Sequence, residues 1–458
     1  MGSEYFCDIR GRNAPSAIGC TMKKQMKEKT VAVMGLGTLT RDAVGLSALW
    51  QHLLAGGALP AAPTHFDSTG FRSQHAYTVD PQALWQQVLK ASWPIDETCY
   101  QCLPCVGYGW LAAQEALQQA GIDQELRAQM GVSMATTSGG TMDRFAESRN
   151  AEDSQYATLS GAAGLLAQLL QAGGPVSVFS CACISSVAAF SHAFERIRQG
   201  DTPLMLVGGC DQVREADFAG FNALRAIAPD VCRPFDSRRK GMVMGDGAAM
   251  MVLEELDHAL ARGVTPLAIF RSCGLAVDGH HLTAPIPDGL VRAMRQALRS
   301  VGDERPGYIN CHGTGTQAND SNELQAMQQV FGYEASQLAV SSTKSGTGHL
   351  LGSAGALEAV LSVKILREQC VPPMATCQSP IAEMNFRMPD VARSLPLNTH
   401  MVMSNSLGFG GLNGSLIFSH YQGGAPDDGC INDRRPVCGL IGSDYRVEPD
   451  NQPRMARG

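Results

Sequence analysis

The stretch VFSCACISSVAAF, residues 178–190, carries two thiols, Cys181 and Cys183, where an apolar β-like run gives way to a helical one. A cysteine reacts as its thiolate, and the unpaired N–H groups and dipole of a helix N-terminus favour that charge. A thiol at such a junction is therefore placed for nucleophilic work. Cysteine is also a small apolar filler of buried space. A single intervening residue makes CAC a poor chelate. The local pattern leaves a nucleophile, packing, and a redox or metal pair open.

Other segments compete or cooperate. CYQCLPC places Cys99, Cys102 and Cys105 in two successive C-x-x-C spacings of the kind that ligate zinc or iron–sulfur clusters. A fourth ligand at a matching spacing is missing, and the run leads into an amphipathic helix, which favours core or pocket lining. GLGTLT, after the first apolar run, imitates a dinucleotide loop, but Thr40 stands at the third glycine position and no acidic ribose partner follows. A tight turn is the better reading. NCHGTGTQANDSNE (310–323) sets His312 among glycines and small hydroxyl residues, and SSTKSGTGHLLGSAGALEA (341–359) places Lys344 and His349 before a helix with Glu358. Glycines around a histidine let backbone and substrate approach closely. SNSLGFGGLNGS (404–415) is a glycine-rich turn around Phe409; it suits either an oxyanion-binding turn or a plain hairpin. One Cys, two His, one Lys and such a turn point to thioester chemistry. A cysteine hydrolase needs one His with an orienting Asn or Asp; two His and a Lys suit carbon–carbon bond formation better.

The elements that hold these residues alternate. Strand-like runs at 30–37, 174–180, 203–209 and 247–256 are interleaved with helical patterns at 109–122 and after Cys183, and a second set begins near residue 266. Alternation of this kind predicts an α/β fold with buried sheets, here in two similar halves. The 458 residues are 44% hydrophobic and 17% charged, which excludes a disordered chain. A net charge of −7 without a long basic run argues against nucleic acid as a partner. No stretch approaches the roughly 20 apolar residues of a membrane span. The N-terminal residues lack the apolar core of a secretory signal, and Phe6 stands where a myristoylation signal needs Ser or Thr. The 15 cysteines are then expected to be reduced thiols of a cytoplasmic protein. Residues 1–28 read as a loose leader and 422–458 as a flexible tail.

Taken in order, VAVMGLG, GPVSVFSCACISS, MLVGGCD, RPFDSRRKGMVMGDGAAMMVLEELDHALARG, HLTAPIPDG, CHGTGTQAND, STKSGTGHLLGSAGALE and SNSLGFGGLNGS resemble the β-ketoacyl-[acyl-carrier-protein] synthases. These are the condensing enzymes of fatty acid and polyketide assembly, in the thiolase-like superfamily. The resemblance spans residues 29–421. It implies a thiolase fold, two similar α/β halves (29–260 and 261–421) in five α-β-α-β-α layers. It puts the nucleophile at Cys183 and a small residue at Cys181, the two histidines at His312 and His349, and the lysine at Lys344 with Glu358 as partner. Asp320 and Glu323 fall on supporting acidic positions, and Phe409 on an aromatic gate whose amide, with that of Cys183, would form the oxyanion hole. Cys105, Val106 and Gly107 fall where the family lines its acyl pocket.

The implied reaction is decarboxylative Claisen condensation of malonyl-carrier protein with a Cys183-bound acyl chain, in fatty acid or type II polyketide or polyene synthesis, without a metal or cofactor. The implied partners are acyl and malonyl carrier proteins and a second ketosynthase-like subunit, as homodimer or heterodimer. Carrier proteins are generally acidic, so a basic patch is expected around Arg72, Arg238, Arg239 and Lys240. Residues 133–173 and 377–403 are shorter than expected for the family, and Cys181 and Ile184 are unusual neighbours for the nucleophile. The shortened loops keep a dedicated polyketide or polyene pathway open. A chain-length-factor-like subunit, which shapes a partner's pocket, is the alternative; such subunits typically lack the nucleophile. A thiolase would carry a second cysteine in the C-terminal glycine turn, and SNSLGFGG has none.

Overall fold

A computed structural model describes residues 28–91, 104–139 and 158–423. The leader before residue 28, Cys99, Cys102 and the tail from 424 lie outside the described residues.

Ten strands of three or more residues build the sheets: β1 Val31–Thr40, β2 Gly131–Ala135, β3 Val176–Phe179, β4 Leu204–Asp211, β5 Gly247–Glu255, β6 Ala268–Val277, β7 Tyr308–Asn310, β8 Ala339–Ser341, β9 Met401–Gly408 and β10 Leu412–Ser419. Among the described residues six helices have twelve residues or more: α1 Pro104–Gln119, α2 Leu159–Leu170, α3 Ser185–Arg198, α4 Pro287–Arg299, α5 Gln317–Phe331 and α6 Ala354–Glu368. The strand-like runs in the sequence fall on β1, β3, β4 and β5, shifted by at most three residues at their ends. The first helix starts five residues earlier than its periodicity suggested, at Pro104, a residue suited to the first helical turn because its missing N–H has no intrahelical partner there.

The strands run in space β3-β2-β4-β5-β1-β6-β10-β9-β7-β8, with the short strand Ala43–Val44 added beside β1. Numbered within each half, both have the order first, fifth, fourth, second, third. In both, the second strand is parallel to the third and fourth, while the fifth is antiparallel to its two neighbours. The halves meet where Val31–Val33 of β1 pairs antiparallel with Ala268–Phe270 of β6. This duplicated topology is invisible as a sequence repeat, because it needs only the same succession of buried strands and crossover helices.

α3 and α6 pack on each other, and each touches strands of both halves, so they form the central layer. Nearly every residue of α6 is buried, as a helix packed between the two halves of the sheet requires. α1 and α2 cover the outer face of the first half; α4, with α5 beside it, covers the second. α1 lies very close to its sheet. A Cβ on Gly35 or Gly37 would fall 2.0 or 1.9 Å from the carbonyl oxygens of Ala116 and Ala112. The glycines of GLGTLT therefore serve helix-on-sheet packing.

The crossovers place the reactive motifs together. Cys183 follows β3 and precedes α3, His312 follows β7, Lys344 and His349 follow β8, and Phe409 follows β9. All leave carboxyl ends of strands in the parallel parts of the two sheets, where α/β folds open their crevices.

Candidate active site

Cys183 sits on a tight turn between β3 and α3. Ala182 takes a left-handed φ of 51°, and the turn is closed by Cys181 N–H donating to Ser185 Oγ at 2.8 Å and Ser185 Oγ donating to Ala182 O at 2.6 Å. A left-handed alanine is strained and survives only where its surroundings hold it. The result presents Cys183 to the cavity and leaves Cys181 at the strand end. A Cβ on Gly408 would lie 3.3 Å from the Cys183 nitrogen, so the turn bearing Phe409 runs close against the Cys183 amide, and a side chain there would be tightly packed.

Cys183 Sγ and a ring nitrogen of each of His312 and His349 lie within 4.8 Å of one another, and the two imidazoles meet edge-to-face with centroids 5.2 Å apart. His349 Nδ1 accepts the Leu351 N–H at 3.0 Å. Lys344 Nζ, which can only donate, lies 3.4 Å from His312 Nδ1 and donates to His312 O at 2.6 Å. Burial foremost, then the Lys344 ammonium, holds both histidines well below the usual imidazole range, and His349 further lowers His312. Both rings are neutral at pH 7 with Nδ1 as acceptor, so each keeps its hydrogen on Nε2 and has one donor to offer.

Lys344 is buried and paired with buried Glu358 from α6. Glu323 accepts the N–H groups of His312 and Gly313 at 2.7 and 2.8 Å; Asp320 accepts those of Phe235 and Gly315 at 2.7 and 3.1 Å. Burial pushes Glu323 up to about 8 and Asp320 up to about 6, against the backbone donors that favour their ionised forms. Both carboxyls brace the loop that carries His312.

Burial also pushes the Cys183 thiol up to about 11, with Lys344 opposing. The helix N-terminus was expected to favour the thiolate. In the resting site desolvation outweighs it, because a partly buried thiolate loses more from water than a helix beginning two residues later returns. The protonated thiol and the neighbouring ammonium also oppose a divalent cation at this Cys–His–His cluster.

These groups open onto a cavity of about 550 Å³, whose lining includes Cys183, His312, His349, Phe409, Phe221 and Thr316. Phe409 is 36% exposed and stacks on Phe221 at 5.8 Å. Of the expected basic patch, Arg72 and Lys240 reach the cavity, joined by Arg225. Arg238 instead pairs with Asp236, and Arg239 is buried, donating to the carbonyls of Thr316 and Gln317. Arg225 and Phe221 carried no signal in the sequence, since FNALR reads as an ordinary helical run.

Cys105, Val106 and Gly107 do not line this cavity. They are buried in the first turns of α1, where Cys105 meets the Cys210 thiol of β4.

The family profiles described as the N-terminal and C-terminal domains of β-ketoacyl synthase match residues 28–259 and 267–378. This chain belongs to the β-ketoacyl synthase family. Among relatives of the synthase, 3-oxoacyl-[acyl-carrier-protein] synthase 2 of Coxiella burnetii is 35% identical over 422 residues, covering 86% of this chain and 99% of that protein. Nodulation protein E of Rhizobium meliloti is 38% identical over 331 residues, 67% of this chain and 80% of that one. Solved structures that resemble it include a β-ketoacyl synthase from Burkholderia phymatum (TM-score 0.77, 30% identity) and the ishigamide ketosynthase/chain length factor (TM-score 0.78, 28% identity); each match covers 86% of this chain and 100% of the solved one. The five-layer fold of the synthase is thus the thiolase fold of these ketosynthases.

Proposed function

We propose that the synthase condenses an acyl group, held as a thioester on Cys183, with a malonyl group presented by acyl carrier protein, in fatty acid or polyketide assembly. The observation that carries this reading is the pair of neutral histidines, each with its hydrogen on Nε2, beside a single partly buried thiol. First, Cys183 attacks an acyl-carrier thioester; the carbon–sulfur bond to the carrier breaks, and the thiol proton leaves with the carrier's thiol. Malonyl-carrier then binds with its thioester oxygen against the two Nε2–H groups. Its carboxylate departs as CO₂, and the enolate left behind is stabilised by donors already in place. The carbanion attacks the acyl-Cys183 carbonyl, and the amides of Cys183 and Phe409 hold the resulting oxyanion. Collapse forms the 3-oxoacyl-carrier thioester and returns the Cys183 thiolate, which takes up one proton.

A pocket-shaping subunit would not need this constellation, so the catalytic reading is favoured. Arg72, Arg225 and Lys240 at the cavity suit an acidic carrier protein. We also infer that two synthase chains, or one and a related subunit, pair through β3. This strand ends the sheet, is at best half-buried along its length, and leaves Val176 44% exposed.

The mechanism is tested by intact mass and product assays on Cys183→Ala. Acylation and condensation should vanish while malonyl-carrier decarboxylation persists. Condensation surviving in that variant, or lost only in Cys181→Ala, would overturn the assignment.

A further inference from the structure

Asp211, at the end of β4, is buried and touches neither the cavity nor any group in the mechanism above. Its Oδ1 accepts Thr136 Oγ1–H and Thr137 N–H, both at 2.8 Å, and its Oδ2 accepts Ser353 N–H at 3.0 Å from the other half of the molecule. Thr137, held by its own N–H bond to Asp211 Oδ1, accepts Gly352 N–H on its Oγ1 at 2.7 Å. Gly352 O accepts Ser186 Oγ–H at 2.5 Å. The tight turn Leu351–Ser353 is thus pinned from the first half at three successive hydrogen bonds. The backbone contact is close: a Cβ on Gly352 would fall 2.9 Å from Thr137 N.

That turn is the one whose first amide, Leu351 N–H, holds His349 Nδ1 as an acceptor. Leu351 itself has a left-handed φ of 52°, a conformation a non-glycine apolar residue keeps only when its neighbours enforce it. We propose that Asp211 is a positioning residue for His349: through Thr137 and Ser353 it holds the Leu351 amide where it fixes the ring and keeps the Nε2 hydrogen available to substrate. This rests on the histidine role proposed above. It adds that the donor geometry of the second half is set by a carboxylate of the first, which explains why an acidic residue is buried where two halves meet.

Two variants of the full chain test it: Asp211→Asn, which replaces one acceptor by a donor, and Thr137→Val, which keeps the Asp211 carboxyl but deletes the acceptor for Gly352. The readouts are malonyl-carrier decarboxylation, which needs His349, acylation of Cys183, which does not, and ¹⁵N shifts of labelled histidine without substrate. Both variants should lower the ratio of decarboxylation to acylation by about tenfold or more, and the His349 shifts should lose the pure Nε2–H pattern. Equal losses in both steps, or an unchanged His349 signal, would overturn the proposal. If Asp211→Asn does not fold, Thr137→Val decides alone. A wild-type protein that decarboxylates nothing would sink the functional reading, while the histidine shifts would still report on the positioning.

Discussion

Burial holds Cys183 as a protonated thiol at rest, and in the mechanism proposed this decides how the first transfer begins. A nucleophile with a pKa pushed up to about 11 by burial is nearly inert to passing electrophiles at pH 7 and gains its charge only as the carrier thioester is engaged. Alkylation of Cys183 by iodoacetamide, followed by peptide mass analysis, should accelerate close to tenfold per pH unit between pH 7 and 10, because the rate follows the thiolate fraction. A profile already flat at pH 8 would contradict the buried-thiol account. Lys344→Met removes the cation that opposes this shift, so the midpoint should move higher still. It also strands Glu358, and breaking a buried pair in this way costs about 3–5 kcal/mol, so the variant's melting temperature should fall as well. Both histidines stood out in the sequence as site candidates from their glycine-rich surroundings, and the structure brings their rings together. Their tautomers were not legible in the sequence, since these depend on Leu351 N–H and on an ammonium 32 residues away from His312.

At the scale of elements, the catalytic loops are shaped by glycines at positions no other residue fills. Gly348, before His349, has φ 72°, and a Cβ there would lie 2.7 Å from Tyr77 Cδ2 and 3.0 Å from Met244 O. Gly348→Ala should destabilise the protein by about 1–3 kcal/mol and sharply reduce malonyl decarboxylation by displacing His349. Gly263 has a similar φ of 75° but open space around it. Gly263→Ala should cost only its backbone strain, about 1 kcal/mol, with activity intact. Comparable losses of decarboxylation in the two variants, with melting curves recorded beside them, would show that steric displacement of His349 is not the cause. The strand–turn–helix boundaries around Cys183 could be read directly, because apolar alternation stops at Ser180. The role of α1's small residues could not. The family resemblance implies pocket lining at Cys105, Val106 and Gly107, and the structure buries all three in α1, outside the cavity at Cys183, with Cys105 against Cys210 of β4, since smallness serves a close approach between elements as well as it serves a cavity.

Across the whole molecule, the same five-strand order in both halves brings β3 and β8, the third strand of each, to opposite ends of one sheet, while the helices that follow them, α3 and α6, pack together at the centre. Cys183 and His349 meet because these two crossovers return to the same layer. The end at β3 also offers the edge inferred to pair with a second chain. A lysine at an exposed edge is a recognised obstacle to strand pairing. Val176→Lys should therefore shift the sedimenting species from dimer toward monomer, with the monomeric fold preserved by circular dichroism. A wild-type chain sedimenting as monomer, or a variant still fully dimeric, would remove β3 from the interface.

By itself the sequence determined the α/β class and the family, and the ordered motifs of that family single out Cys183, His312, Lys344 and His349 as the candidates for catalysis, because these rest on residue types in a fixed succession; the local pattern alone left Cys181 and Cys183 undecided. Tertiary structure alone decided the protonation of the site, the stack of Phe221 on Phe409, the sorting of the arginines into cavity and scaffold, and the reach of Asp211 across the two halves. Each of these depends on contacts between segments from tens to more than a hundred residues apart, and on the burial they share, which no local spacing encodes.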